Sequence, residues 1–402
     1  MSLTEAELLE DVRQRLFAPT DSQTPRAIGL ELELIPIHES TRTRVLATND
    51  ERVSTADVLS RLGAREGWHE ESNGEDPPSW RLEEGARISF EPGGQIEIST
   101  TPHATASSVI DSTQLLVATL REAMAKEAIE LIARGVDPYN EIDAVPLQLH
   151  RARYANMTRY FDSIGPSGVQ MMRQTAALQM NVERGKDPGS RWRLLNALSP
   201  IIVALFANSR DYARRSTEWA SYRAELWRTL DPSRTGIIYD EAHEAERYLD
   251  FALDAIAMRG GDGVGYRPFR SWIADAAVGM DDWLFHLSTL FPEVRPKQFF
   301  ELRSADTIEA QFLPAPVVLV TGLVYDEQSA RQAVELLGVP SDDLLARAGK
   351  SGLADAEIRS IAAQVVVQAL DGAQRLGSSY ILPAHIAVAE QYFARVLSAA
   401  DI

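Results

Sequence analysis

The chain has 402 residues, 45% hydrophobic and 24% charged, and its 58 acidic side chains against 40 basic ones give a net charge of -18. That surplus argues against nucleic acid and anionic membrane as partners, and leaves open anionic small molecules, which need only local cations. With no cysteine in the sequence, disulfides, thiolate metal sites and cysteine nucleophiles are excluded.

Leu3 to Phe17 has helical spacing, with Thr4 as N-cap and Glu7 three residues on. The first fifteen residues are acidic and lack the apolar centre of a signal peptide. No apolar run approaches the roughly 20 residues of a membrane span, so a cytoplasmic protein, monomeric or homodimeric, is expected. Ala27 to Pro36 then alternates cleanly, with Glu31 and Glu33 on one face and Leu30, Leu32 and Leu34 on the other. Two like charges side by side on a strand need solvent or a cation. Ser54 to Leu62 reads as a helix, and Gly67 to Pro78 as an exposed polar loop.

Ile88 to Thr100 is the most informative stretch. Gln95, Glu97 and Ser99 share one face, and Ile96 and Ile98 the other. Pro92-Gly93-Gly94 cannot continue a regular ladder, which brings Glu91 and Glu97 towards one place. An edge strand with a solvated face is the plainer alternative. Ala104 to Ala133 reads as one long helix ending near Gly135, and Gly165-Pro166-Ser167-Gly168 as a loop. From Thr175 alternation returns, placing Gln179, Asn181 and Glu183 opposite Leu178, Met180 and Val182. Trp192 to Phe206 is an apolar helix expected to break near Pro200.

Arg223 lies among aromatics between Trp219 and Trp227, ahead of the Asp231 to Gly236 turn, and Glu241 to Met258 is helical. The Gly260 to Gly265 run lacks the flanking strand and the lysine of a phosphate cradle, so it reads as a surface loop. His243-Glu244 fails as a zinc motif because Arg247 stands where the second histidine should be. Gln298 to Asp306 is a further strand with Glu301 and Arg303 on one face, a pattern that a simple ion pair would also explain. Helices are expected at Val317 to Tyr325, Ser329 to Leu337, Asp355 to Leu376 and Pro383 to Ser398.

Polar-faced strands separated by helices, without a strict βαβ series, imply an α+β fold: an antiparallel sheet with helices on its back. A single catalytic domain over residues 1–402 is expected, with 317–402 a helical portion packed on it. The open face would hold Glu31, Glu33, Glu91, Glu97, Gln179, Asn181, Glu301 and Arg303. So many carboxylates on one face repel, and hard divalent cations relieve them; oxygen-only donors select Mg2+ or Mn2+. Magnesium keeps few protein carboxylates and adds substrate phosphates, which points to a nucleotide-using enzyme. No Walker-type loop is present, so metals and arginines would hold the nucleotide.

Ordered motifs add a resemblance. Gly29-Leu30-Glu31-Leu32-Glu33, Ser89 to Glu97, Met171-Met172 through Asn181, and Ala204 to Ser209 come first. Ser221-Tyr222-Arg223, Trp227, Arg234-Thr235-Gly236, Phe291 to Arg295 and Glu301 to Asp306 follow in order. Together, over roughly residues 25 to 325, they resemble the glutamate–cysteine ligase family of plants and many bacteria. The resemblance implies a glutamine-synthetase-like sheet forming a funnel. It also implies ATP-dependent phosphorylation of the glutamate γ-carboxylate and attack by the amine of cysteine.

By motif, the resemblance makes Glu31, Glu33, Glu91, Glu97 and Glu301 the metal ligands, with Gln179 a weaker candidate. Arg303 beside Glu301 would meet the phosphate, with Arg295 and Lys297 as further cations for the anions. Arg223 would grip the glutamate carboxylate, Trp227 would line the same pocket, and Gln179 and Asn181 would lie on the substrate side. The implied partners are small molecules: glutamate, cysteine and ATP. Three alternatives stay open at this point. They are a ligase with another amine acceptor, the γ-glutamylcysteine-forming step of ergothioneine synthesis, and a catalytically silent metal-binding regulator. Plant members carry regulatory cysteines that this chain lacks, so thiol control through its own residues is ruled out.

Overall fold

The alternation over residues 28–38 builds the central strand of the sheet. The computed structural model describes residues 3–20, 26–49, 51–258, 265–275 and 278–399. Among them nine strands form one sheet: β1 (Ile28–His38), β2 (His69–Asn73), β3 (Asp76–Arg81), β4 (Arg87–Phe90), β5 (Ile96–Ser99), β6 (Ile129–Ile132), β7 (Ala177–Val182), β8 (Val294–Pro296) and β9 (Phe300–Asp306). Their order is β8-β9-β7-β1-β5-β4-β3-β2, with β6 pairing the second half of β1. Every pairing in the sheet is antiparallel, so the chain has the expected α+β architecture.

Leu30, Leu32 and Leu34 are buried on the back of β1, each contributing about 2 kcal/mol of burial. Slipping the register by one residue would drive Glu31 and Glu33 into that core, so the leucines fix which face carries the acids. Helices Ala106–Ala125 and Pro188–Leu205 pack behind the sheet. Helix Pro314–Tyr325 lies behind them, buried along its whole length, and is covered in turn by Ala356–Leu376 and Pro383–Ala399. A Cβ on Gly322 would meet the Ala369 carbonyl oxygen at 2.1 Å, and one on Gly372 the Gly322 carbonyl at 2.2 Å. The two helices therefore cross backbone to backbone.

Several expectations need correction. Residues 67–78, expected as a loop, contribute to the β2–β3 hairpin, with Gly74 at φ +73° in its turn. Pro77 and Pro78 lie beside the register irregularity, where no ladder donor is required of them. The long helix over 104–133 stops at Ala125; Ala128, at φ +55°, reverses the chain into β6. Its Ile-Glu-Leu-Ile run is too short for period to tell strand from helix. Gly165 to Gly168 is a seam between helices Ala152–Ile164 and Pro166–Gln174, the second opening on proline at its first position.

Pro200 does not break its helix, which runs unbroken from Pro188 to Leu205. Ser199 donates its hydroxyl to the Leu195 carbonyl at 3.0 Å, and dense burial on all sides overrides local propensity. The first helix ends at Asp11 and continues as a wider turn over Val12–Leu16, while the Thr4–Glu7 capping box forms as expected. Helix Asp342–Ser351 had no expectation attached. The Gly260 to Val264 stretch lies outside the described residues. No helix among the described residues is long and apolar enough to cross a membrane.

Candidate active site

Pro92-Gly93-Gly94 turns the chain between β4 and β5, so the stretch is a hairpin and not a single kinked strand. Gly94 sits at φ +78°, and a Cβ on Gly93 would lie 2.0 Å from the Arg173 carbonyl oxygen. Gln148 holds the Gly93 carbonyl at 2.7 Å, and Gln95 reaches the Thr175 carbonyl at 2.7 Å. The buried Arg44, paired with Asp137 at 3.1 Å, donates to both the Gly93 and the Arg173 carbonyls. This clamp fixes Glu91, just before the turn, against β1. The β5 strand is interior, lying between β1 and β4, so the edge-strand alternative is set aside.

Register does the rest. Glu33 is the direct partner of Glu97, Glu31 of Gln179, and Asn181 of Glu301. Carboxylate oxygens of Glu33, Glu91 and Glu97 all lie within 4.8 Å of one another. The donors that hold them are uncharged: Ala177 N–H (2.8 Å) and Gln179 Nε2 (3.2 Å) donate to Glu33, and Ser99 (2.9 Å) and Ser89 (3.2 Å) donate to Glu97. Burial, then the Glu97 charge, pushes Glu33 up to about 7. Burial, followed by Glu97 and Glu33, holds Glu91 well above the ordinary carboxylate range.

A second group gathers one strand over. Glu301 is fully buried and accepts from Arg295 Nε and Arg303 Nη1, both at 2.6 Å, and from Lys297 Nζ. Burial alone would raise its pKa, but Arg295, Arg303 and Lys297 outweigh that and hold it well below the usual range. Lys297 Nζ is also 4.0 Å from Glu31 Oε1, which accepts from Asn181 Nδ2 at 3.1 Å. Burial, then Glu301 and Glu97, pushes Glu31 up to about 7. A register shift between Leu302 and Ala305 re-aims Arg303, whose Nη1 also meets Gln179 Oε1 at 2.6 Å. Gln179 thus ties Glu33 to Arg303, its carbonyl already occupied by the arginine.

Glu31, Glu33, Glu91, Glu97, Gln179, Trp227, Arg295 and Arg303 line one cleft of about 690 Å3, part of it open solvent. Asn181, Lys297 and Glu301 are not among its lining side chains. Nor is Arg223, which occupies a small adjoining recess with Trp227, Glu293 and Arg303. There it donates to the Arg303 carbonyl at 2.8 Å and lies 3.9 Å from Asp306. Trp227 lines both spaces, with the Arg223 and Arg303 guanidinium carbons 5.3 and 5.1 Å from its ring centre. Further lining comes from residues that sequence reasoning did not single out for the site: Arg153, Tyr154 and Met157. Met171, Met172 and Phe291 join them, legible only as parts of quoted motifs. Arg153 is held by the Ser288 carbonyl at 2.7 Å.

Acids and arginines side by side in one cleft form a place where metal-bound phosphates and a carboxylate substrate can meet. The chain is similar to known proteins. The profile of glutamate–cysteine ligase family 2 matches residues 27–379. Glutamate–cysteine ligase EgtA of Mycolicibacterium smegmatis is 32% identical over 323 residues, covering 76% of this chain and 75% of that protein. The chloroplastic glutamate–cysteine ligase of Arabidopsis thaliana is 28% identical over 348 residues, 80% of this chain and 66% of that one. The crystal structure of a Francisella tularensis glutamate–cysteine ligase in complex with AMP shares the fold. It has a TM-score of 0.52 at 11% identity, over 94% of this chain and 82% of the other. With a family profile spanning most of its length and these relatives, the chain belongs to glutamate–cysteine ligase family 2.

Proposed function

We propose that this enzyme joins the γ-carboxylate of L-glutamate to the amine of L-cysteine at the expense of ATP, through γ-glutamyl phosphate. The observation that carries the reading is the convergence of Glu33, Glu91 and Glu97 within 4.8 Å in a cleft that Arg295 and Arg303 also line. A γ-carboxylate oxygen takes the terminal phosphoryl group and ADP leaves. The cysteine nitrogen then bonds to the acyl carbon, phosphate departs with the former carboxylate oxygen, and the nitrogen gives up a proton.

The donor set fits Mg2+ or Mn2+: three carboxylates, no histidine and no thiol, two of them pushed towards protonation by burial and by the neighbouring carboxylates. Glu33, Glu91 and Glu97 would hold one such ion, and Glu31 with Glu301 a second. Bound there, the ions supply Lewis acidity and charge neutralisation to phosphate oxygens. The chain's own groups do the rest. Arg303 and Arg295 face the transferring phosphoryl group, where charge develops along the reaction path. Arg153 in the cleft and Arg223 in the adjoining recess supply positive charge for substrate carboxylates. Met157, Met171, Met172, Trp227 and Phe291 exclude water from the acyl phosphate. A cytoplasmic setting suits the reading, because cytosolic thiol buffers keep cysteine reduced.

The test is ATP-dependent phosphate release with glutamate and a panel of amines. Release specific to cysteine supports the reading. Release with a different amine would reassign the acceptor, and none with any amine would make the chain a silent binder.

A further inference from the structure

The two acid groups differ in one respect that bears on how cations load. Glu33 and Glu97 accept their hydrogen bonds from uncharged donors, and no ion pair to Glu33, Glu91 or Glu97 forms among the described residues. The pair Glu31 and Glu301 is different: Arg295, Lys297 and Arg303 all contact Glu301, and Lys297 Nζ lies 4.0 Å from Glu31. Fully ionised, the first group carries three negative charges with no cation in contact; Arg153, Arg223 and Arg303 act on it from further off. The second carries two, against three positive ones. A divalent ion approaching the second pair meets net positive charge and is repelled at short range.

The three cations are not equally fixed. The side chains of Arg295 and Arg303 are 15% and 9% exposed, and each is locked by a hydrogen bond to Glu301 at 2.6 Å. Lys297 is 36% exposed and sits in the tight turn between β8 and β9, its N–H bonded to the Phe299 carbonyl at 2.7 Å. Its ammonium is a compact charge on a flexible stem, 5.3 Å from the centre of the Phe299 ring, which offers it a second perch. Of the three, Lys297 is the one that can leave.

We infer that Lys297 is an exchangeable counter-ion: it fills the Glu31–Glu301 pair until nucleotide phosphates draw it away and let a second divalent ion in. The inference rests on the proposed metal-dependent ligase reading and adds an order to it. One ion binds the Glu33–Glu91–Glu97 group without nucleotide. The second is coupled to the nucleotide, and by linkage each strengthens the other's binding.

Titrating the full chain with Mn2+ alone, and following free Mn2+ by electron paramagnetic resonance, counts the sites without any turnover. The parent protein should bind one ion tightly and a second at least about tenfold more weakly. Lys297→Met keeps the aliphatic stem and removes the charge, so the second ion should tighten by about tenfold or more. Lys297→Gln should do the same, guarding against misfolding of one variant, and Lys297→Arg should behave like the parent. Two equally tight ions in the parent would overturn the inference, as would an unchanged second site in both neutral variants. No tight ion in the parent, with Glu97→Gln indistinguishable from it, would instead bring down the metal reading and this inference with it.

Discussion

Glu33 and Glu97 face each other as direct partners across the β1–β5 ladder, and their carboxylates meet Glu91 within 4.8 Å. Three acids at that spacing need a cation or a proton between them, since like charges on neighbouring strands destabilise a sheet. Glu97→Gln keeps the shape and removes one charge. Activity should fall by about a hundredfold or more, with a parallel loss of Mn2+ affinity. An unchanged rate would remove Glu97 from the site.

The same crowding predicts proton release. Glu31 and Glu33 are pushed up to about 7 by burial and then by neighbouring carboxylates, against an ordinary carboxylate value of 4.5. Between those values the folded chain holds protons that the unfolded chain has lost, so the stability they contribute is lost as pH rises through about 7. Without divalent ions the melting temperature should fall from pH 5 to pH 8, and Mg2+ should restore it most at the alkaline end. Calorimetry at pH 6.5 in buffers of different ionisation enthalpy should register protons leaving as Mg2+ binds. Binding without proton release would mean that these carboxylates are already ionised.

Arg223 and Arg303 both pack on Trp227 but only Arg303 lines the main cleft, and the two should separate by kinetics. Lysine cannot reproduce the planar fork that grips a carboxylate. Arg223→Lys should raise KM for glutamate and leave KM for ATP nearly unchanged. Arg303→Lys should lower kcat, because the phosphoryl charge it meets grows only towards the transition state. An effect of Arg223→Lys on ATP alone would reverse the two roles.

Far from the cleft, Gly322→Ala tests the helical scaffold. The new methyl would sit 2.1 Å from the Ala369 carbonyl, a backbone atom that cannot swing aside. Stability should drop by about 3 kcal/mol, seen in chemical unfolding, while KM values of the folded fraction stay as in the parent. An unshifted unfolding midpoint would show that the two helices can move apart freely.

What was legible in the sequence was whatever alternates. Glu31, Glu33, Glu97, Gln179 and Glu301 could be read because each strand has a core face of leucine, isoleucine or methionine and a second face of polar groups. Part of the lining was opaque. Arg153 and Met157 sit on a helix where period reports only which side meets the core. The tie between Lys297 and Glu301 was hidden because it depends on how β8 folds back on β9, and a four-residue spacing in a hairpin carries no mark of its own. The position of Arg223 beside Trp227 follows from helix Tyr222–Leu230 packing beside β9, a tertiary fact.

The central claim is that glutamate is activated by phosphorylation at its γ-carboxylate. Glutamate labelled with 18O in that carboxylate, incubated with ATP, Mg2+ and cysteine, tests it directly by mass spectrometry of the released phosphate. The account predicts one 18O in each phosphate, formed one for one with γ-glutamylcysteine. Product formed with unlabelled phosphate would contradict it.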